Sequence, residues 1–251
     1  MLAHTFIHAR GVGYGTERKL WERGISWENF NDNLSSNSIP AAGSKIKSIS
    51  EELERSKREL ENSNHIYFRD RLPESEHWRL YSKFKENCAF VDIETTGISY
   101  NSRITVIGLY NGTEIKTYIL GKNLFDIKDE LKNYTTIVTF NGRCFDVPFI
   151  AREFPDIEFN QIHIDLRFFL KRLNLSGGLK NIEHAMGIKR SGETAGLSGF
   201  DAVRLWRRYM RGDRDSLDLL IKYNSEDIVN LKKIIDIAYP RVKERLLFQG
   251  R

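Results

Sequence analysis

Apolar residues in the middle of the chain come in short runs, which is the pattern of β-strands rather than of long helices. Residues 89–94 and 136–140 form two such runs, and a third ends at residues 163–165. Residues 104–110 and 114–120 form two more, joined across an Asn-Gly pair that strongly favours a hairpin. A hairpin followed by strands that alternate with helices predicts an α/β fold, with a mixed sheet flanked by helices.

The rest of the chain has mostly the spacing of helices. Residues 147–154 predict a short helix, and from residue 166 onward the pattern is almost entirely helical. Residues 31–50 are rich in Asn, Ser, Gly and Lys, which predicts a loop or linker with little to bury. We therefore expect a small, mainly helical N-terminal extension with its linker at residues 1–64, and the α/β domain at residues 65–251.

Composition and charge narrow the range of functions. Of the 251 residues, 40% are hydrophobic and 12% aromatic, which is enough to fill a core. The chain carries 39 basic and 34 acidic residues, and residues 165–251 alone hold 18 basic against 11 acidic residues. A basic C-terminal third suits a polyanionic partner such as nucleic acid, while a solvated helix surface explains the same excess.

The chain has the character of a cytoplasmic protein. No apolar run approaches the roughly 18 residues of a membrane-spanning helix, and the first ten residues lack the pattern of a secretion signal. The two cysteines, Cys88 and Cys144, lack metal-ligand spacing and are typical of reduced thiols. We therefore expect a cytoplasmic location and no membrane partner.

Two carboxylates lie at the end of the first predicted strand. Asp92 and Glu94 are separated by one residue, so their side chains point to the same face of the strand. Like charges at such close range repel each other unless a cation lies between them, and oxygen ligands suit Mg²⁺ or Mn²⁺. An isolated Asp-x-Glu at a strand end more often faces solvent, so this pair by itself leaves both interpretations open.

Two further acids follow at other places in the chain. Asp146 comes after a predicted strand through a turn at Asn141, and Phe145 precedes it as an apolar anchor. Asp227 lies four residues after Tyr223 in a predicted helix, which places the carboxylate and the phenol on one helix face. Taken singly, Asp146 is explained as a helix cap and Asp227 as an exposed acid beside a packed tyrosine.

Together, the four acids and the tyrosine resemble a known set of motifs. Asp-Ile-Glu-Thr-Thr-Gly at residues 92–97, Asn-x-x-x-Phe-Asp at 141–146 and Tyr-x-x-x-Asp at 223–227 are similar, in order and spacing, to the three motifs of the DnaQ-like (DEDD) exonucleases, and the tyrosine is typical of the DEDDy branch. The chain resembles the YprB-type RNase H-like domain still more closely, through residues 67–73, 78–81, 140–143 and 163–166. The resemblance covers most of residues 65–238 and implies an RNase H-like fold.

What the resemblance implies is a metal-dependent 3′–5′ exonuclease that hydrolyses single-stranded nucleic acid with two ions, Mg²⁺ or Mn²⁺, in one active site. Asp92 would bridge the two ions, and Glu94 and Asp227 would complete one of the two sites. Asp146 would support the other site, directly or through water. Tyr223 would orient the attacking water. All five residues are therefore expected to be catalytic, and the four acids to be metal ligands.

Residues beside the motifs are candidates for contact with the substrate. They are Thr95, Asn141, Arg143 and Phe145. For Asn141 the alternative is to hold its turn, and for Arg143 it is simple exposure. Four arginines recur at helical spacing and suit either a nucleic-acid backbone or a solvated helix face: Arg204, Arg207, Arg208 and Arg211.

Several functions compete for this pattern. The favoured one is the exonuclease, with DNA ahead of RNA as substrate, and a ribonuclease acting on RNA is its nearest alternative. A catalytically silent nucleic-acid-binding module of the same fold is another, and the complete set of acids argues against it. A haloacid-dehalogenase-like phosphatase is disfavoured because it needs an aspartate where Glu94 stands. The glycine-rich turn at residues 11–13 suits a phosphate-binding element, a packing arm or an oligomer contact. The sequence therefore leaves open whether the protein forms a homo-oligomer.

Overall fold

The computed structural model describes residues 1–35, 39 and 43–248. The chain forms two compact units, of which the first consists of Met1–Glu86, Asn160–Ile162 and Tyr239–Arg251, and the second of Asn87–Phe159 and His163–Ala238. Residues 65–86 thus group with the N-terminal part, and the predicted domain boundary between residues 64 and 65 stays a prediction. None of the described helices combines the length and the apolar character needed to cross a membrane.

The first unit is built from helices, as expected for the N-terminal part of the chain. Its α-helices are Tyr14–Glu22 (α1), Phe30–Ser35 (α2), Gly43–Glu61 (α3), His65–Arg71 (α4) and Tyr81–Phe84 (α5), with 3₁₀ turns at Leu2–His4 and Glu74–Leu80. The linker predicted at residues 31–50 is wrong for residues 31–35 and 43–50, which are helical, while residues 36–38 and 40–42 lie outside the described residues. The reason is that Ile49 and Leu53 are buried and anchor α3 through its apolar face.

An arginine and two carboxylates are buried inside the first unit. The Arg79 side chain is 1% exposed, and its Nη1 lies 2.9 Å from both carboxylate oxygens of Glu17. Its Nε donates a hydrogen bond of 2.6 Å to Glu76. Glu17 also accepts a hydrogen bond of 2.7 Å from the backbone N–H of Phe6. Because a buried charge is costly without a partner, these contacts fix α1 to the 3₁₀ turn that carries Arg79.

The second unit contains a five-stranded mixed sheet, which confirms the predicted fold class. Its strands are Cys88–Thr95 (β1), Ile104–Tyr110 (β2), Ile115–Ile119 (β3), Thr136–Thr139 (β4) and Ile162–Asp165 (β5), the last of which belongs to this unit from His163 onward. Their order across the sheet is β3-β2-β1-β4-β5. Strand β1 pairs antiparallel with β2 and parallel with β4, so it lies in the centre and is hydrogen-bonded on both sides.

Six α-helices belong to the part of the second unit that the structure describes. They are Ile127–Leu131 (α6), Asp146–Glu153 (α7), Leu166–Phe169 (α8), Leu179–Ala185 (α9), Gly199–Tyr209 (α10) and Arg214–Phe248 (α11), the last of which belongs to this unit up to Ala238. The prediction of an almost entirely helical segment from residue 166 onward is wrong for residues 174–178 and 186–198, which contain no α-helix. Asn174, Gly177 and Gly187 have positive φ angles in these segments, a conformation that ends helices.

Alternate residues of β1 face different layers of helices. Val91 and Ile93 belong to a core that is shared with α6 and α7. On the other face of the sheet, Val106 of β2 packs with buried residues of α10 and α11. Because successive side chains of a strand point to opposite faces, Asp92 and Glu94 are directed to the layer of α10 and α11.

Candidate active site

Three of the predicted metal ligands meet where α11 packs on the sheet. Asp92 and Glu94 come from β1 and Asp227 from α11, and each offers a carboxylate oxygen that lies within 4.8 Å of the others. Glu94 and Asp227 are buried, and Asp92 is half-buried. A group of oxygen donors at this spacing is able to hold a divalent cation of the type of Mg²⁺ or Mn²⁺.

An asparagine of α11 ties this cluster to the sheet. The Nδ2 of Asn224 donates hydrogen bonds to a carboxylate oxygen of Asp92 at 2.9 Å and to the backbone carbonyl of Asp92 at 3.2 Å. Burial raises the pKa of Glu94, and a hydrogen bond from Asn224 opposes that rise. Asn224 fits here because Gly108, the partner of Asp92 on β2, has no side chain: a Cβ at Gly108 would lie 1.9 Å from the Oδ1 of Asn224.

The fourth acid lies near the three-carboxylate cluster without being part of it. Asp146 begins α7, is buried, and accepts a hydrogen bond of 3.2 Å from the backbone N–H of Ile93. The turn before it is held by Asp165, whose carboxylate accepts hydrogen bonds from the N–H groups of Asn141 and Arg143, at 2.8 and 3.0 Å. Asp165 also caps α8, so its role in the structure is to fix the backbone that places Asp146.

An arginine contacts the cluster from the segment after α9. Arg190 forms an ion pair with Asp227 through its Nη2. Its guanidinium also donates two hydrogen bonds to Glu183 of α9, at 2.5 and 2.7 Å. Asn230 of α11 donates to the same Glu183 at 2.9 Å. Since these side chains are buried, the network fixes the orientation of the Asp227 carboxylate and offsets part of the negative charge.

Burial raises the pKa values of all four acids. The pKa values of Asp92 and Glu94 are raised well above their usual range by burial, and the neighbouring carboxylates add to the rise. Burial raises the pKa of Asp146 and that of Asp227 to about 7, although for Asp227 the charge of Arg190 acts in the opposite direction. Lys180 also lowers the pKa of Asp227, but Lys180 and Arg190, which is shared with Glu183, do not balance four carboxylates, so full ionisation of the cluster requires further cations.

The acids lie in a cavity of about 540 Å³. Of the predicted substrate contacts, Thr95, Asn141 and Phe145 line this cavity. Arg143 is exposed and is not among the lining residues, because its turn directs the backbone N–H inward to Asp165 and leaves the side chain outside. The structure therefore brings three of these four residues to the acids.

The predicted tyrosine lines the same cavity. Tyr223 is buried, and burial together with the nearby carboxylates of Asp227 and Glu94 raises the pKa of its hydroxyl. The hydroxyl therefore stays protonated and able to donate a hydrogen bond. Lys180 and Arg190 lie over the ring, 5.3 and 5.5 Å from its centroid, and these cation–π contacts hold the ring in place.

Three residues at this site were not predicted from the sequence: Gly108, Asn224 and Glu183. Gly108 carried a usable signal, because a glycine inside an apolar strand marks a close approach of another group. Asn224 carried a weaker one, since it lies three residues before Asp227 on the same helix face. Glu183 has no such signal, because its contacts depend on the path of the chain after α9.

The solved structures that are similar to this chain include a DNA polymerase and an EXO domain. A family B DNA polymerase from the hyperthermophilic archaeon Pyrobaculum calidifontis aligns over 65% of this chain and 26% of its own, with a TM-score of 0.52 and 12% sequence identity. That likeness concerns the fold alone and spans about a quarter of the polymerase. The Nibbler EXO domain of Aedes aegypti aligns over 68% of this chain and 89% of its own, with a TM-score of 0.45 and 11% identity, from which nothing follows for this chain. Among curated proteins, no sequence matches significantly.

A sequence-family match covers the part of the chain that contains the sheet. The family described as the RNase H superfamily matches residues 89–239, which is more than half of the chain and includes all five predicted catalytic residues. The match confirms, at the level of the superfamily, the resemblance predicted from the three motifs. The chain therefore belongs to the RNase H superfamily.

Proposed function

We propose that this protein is a metal-dependent 3′–5′ exonuclease that hydrolyses the phosphodiester bonds of single-stranded nucleic acid, with DNA favoured over RNA. The observation that carries the proposal is the meeting of Asp92, Glu94 and Asp227 within 4.8 Å, in a cavity that Asp146 also lines. Membership of the RNase H superfamily supports a nuclease-type hydrolase. The 3′–5′ direction and the single-stranded substrate come from the resemblance to the DEDDy exonucleases.

The donor set fits a pair of divalent cations. All four candidate ligands are carboxylates, and RNase H-like nucleases generally use divalent metal ions. Asp92, Glu94 and Asp227 would hold the cations, and Asp146, which lines the same cavity, would support them. The raised pKa values support this assignment, because bound cations relieve the repulsion that keeps protons on the acids. When bound, two such ions activate a water molecule and stabilise the leaving oxygen.

The remaining side chains position these ligands and the reactants. Asn224 holds one carboxylate oxygen of Asp92 and leaves the other for a cation. Arg190 holds Asp227 in a similar way through their ion pair. The protonated hydroxyl of Tyr223 orients the attacking water by a hydrogen bond. The contacts of Asn224 with Asp92 and of Arg190 with Asp227 are already formed before substrate binds.

The rim of the cavity suits unpaired bases. Ile98 and Phe200 line the cavity, and they are 82% and 74% exposed. Apolar side chains with this exposure at the edge of a cavity favour packing against the faces of nucleobases. In a duplex those faces are covered by stacking, so the rim supports a single-stranded substrate.

A catalytically silent nucleic-acid-binding module is the second candidate. It would use the same cavity and the same apolar rim for binding. It gives no reason for four acids in the cavity, because buried carboxylates lower stability unless a cation or a proton compensates them. The buried acids therefore favour catalysis over binding alone.

A digestion time course tests the proposal. The purified chain is incubated with 5′-labelled single-stranded DNA or matched RNA, in the presence of Mg²⁺, Mn²⁺ or EDTA. We expect fragments that shorten from the 3′ end with metal only, and faster with DNA. Asp92→Asn and Asp227→Asn should abolish cleavage without changing the circular dichroism spectrum.

The matched control is Asp129→Asn, since Asp129 is an exposed aspartate that pairs with Lys132 on the surface of α6. This variant should cleave as the wild type does. Cleavage in EDTA, or undiminished cleavage by Asp92→Asn, would contradict the two-metal mechanism. Binding of intact substrate without cleavage under any condition would favour the silent module.

A further inference from the structure

One face of helix α10 forms a wall of the cavity. Its lining side chains recur every three or four residues, at Phe200, Val203, Arg204 and Arg207. They therefore lie in one row along the helix, which rises by about 10 Å from Phe200 to Arg207. The row is apolar at the start of the helix and cationic toward its end.

This wall is held rigidly in place. Ala202, Leu205 and Trp206 are buried in the core that α10 shares with α11 and the sheet. At the start of the helix, Ser198 and Asp201 form a capping box. Since the backbone that carries the row is already ordered, little backbone conformational entropy is lost when a ligand binds to it.

The arginines of α10 differ in their partners. Among the residues that the structure describes, Arg207 has no acidic partner. Arg204 pairs with Asp201 at 3.2 Å and keeps 75% of its side chain exposed. Arg208 pairs with Asp213 at 2.7 Å and does not line the cavity. The arginine stripe seen in the sequence therefore divides, and only Arg204 and Arg207 belong to the cavity.

We propose that the row of Phe200, Arg204 and Arg207 is the path of the nucleic-acid strand next to the active site, with phosphates on the arginines and a base against Phe200. This path rests on the proposed nuclease function. The acids hold cations and the wall holds phosphates, so the two charged surfaces complement a phosphodiester backbone and its metal ions. Arg204 and Arg207 are three residues apart, about 4.5 Å along the helix axis, so together they contact one or two adjacent phosphates of the strand.

A salt titration of binding tests this path. A short 5′-fluorescein-labelled oligothymidylate is bound to the full chain in EDTA, and fluorescence anisotropy is measured over a range of salt concentrations. We expect Arg207→Gln to lower the affinity by about two- to fivefold. The slope of log K against log salt should become shallower by about 0.7, the value for one phosphate contact on a single strand. Arg208→Gln is the matched control, because it replaces an arginine of the same helix that does not line the cavity, and it should leave the slope unchanged.

Cleavage kinetics separate this path from the proposed function. With Mg²⁺, Arg207→Gln should raise KM and leave kcat unchanged, since the arginine contacts the strand away from the reacting atoms. If the wild type cleaves and Arg207→Gln matches it in slope and KM, the path is overturned and the nuclease stands. An equal loss of affinity for the oligothymidylate in Arg207→Gln and Arg208→Gln also overturns the path, because α10 then contributes only general positive charge. A wild-type chain that neither binds nor cleaves overturns both.

Discussion

Replacing Gly108 by alanine adds one methyl group to β2, directly against the side chain of Asn224. The new Cβ would lie 1.9 Å from the Oδ1 and 3.0 Å from the Cγ of Asn224, and 3.2 Å from the Cδ1 of Ile228. Ordinary van der Waals contact begins at 3.4 Å, so the amide has to move by about 1.5 Å. It cannot move that far and keep its hydrogen bond of 2.9 Å to Asp92.

We expect Gly108→Ala to lower the free energy of unfolding by about 1–3 kcal/mol, as overpacking of a core does. We also expect kcat to fall by about 100-fold, because displacing a group by about 1 Å at an active site has an effect of that size. Stability is measured by urea unfolding, and kcat by cleavage of the labelled single strand at saturating Mg²⁺. Gly192→Ala is the matched control, since an added Cβ at Gly192 meets no atom within 4 Å.

The double variant Gly108→Ala/Asn224→Ala separates the clash from the lost hydrogen bond. Removing the Asn224 side chain relieves the clash, so the double variant should be more stable than Gly108→Ala while its cleavage stays low. Additive effects of the two substitutions on stability would refute this reasoning, because residues in contact do not act independently. Wild-type stability and cleavage in Gly108→Ala would refute it as well.

Three other substitutions give independent tests. In EDTA, burial holds the pKa of Asp227 at about 7 against an ordinary value of 3.8, so the folded state binds a proton that the unfolded chain releases, and stability falls as the pH rises through this range. Asp227→Asn should make that fall smaller in thermal denaturation, and an unchanged fall would contradict the raised pKa. Arg79→Met leaves Glu17 unpaired in the first unit and should cost about 3–5 kcal/mol in urea unfolding, with part of the loss recovered on adding Glu17→Gln. Tyr223→Phe should lower kcat by about tenfold or more at unchanged KM, and wild-type kcat in this variant would remove the tyrosine from the mechanism.

The strands and the acids on them were predictable because their signals are local. The run at residues 104–110 has the bounds of β2, and the run at 136–140 extends one residue beyond β4. Both strands are buried on nearly every residue, since helices cover the sheet on two sides, and this burial produces the continuous apolar runs. The alternation within β1 likewise places Asp92 and Glu94 on one face.

Contacts between distant parts of the chain were not predictable in this way. Asn224 donates to Asp92 across 132 positions, and no periodicity within either segment indicates that pairing. The contact of Arg190 with Asp227 depends on where the segment after α9 runs, which its own residues do not determine. The first part of α3, residues 43–50, was taken for a linker because its polar composition outweighed the apolar Ile46 and Ile49. In each case the contact or the helix depends on tertiary packing, which the local sequence pattern does not determine.

Strand β1 lies in the centre of the sheet, and its residues Asp92 and Glu94 pair with β2, which has a consequence for partial unfolding. Hydrogen exchange reaches the amides of such a central strand only through the largest openings of the unit, whereas segments without regular structure open at a lower free energy. Arg190 lies in a segment without regular structure, at residues 186–198. Mild denaturant should therefore detach Arg190 from Asp227 before it opens strand β1, which carries Asp92 and Glu94. The acids on the sheet would then keep their spacing in an opened state that has lost its arginine.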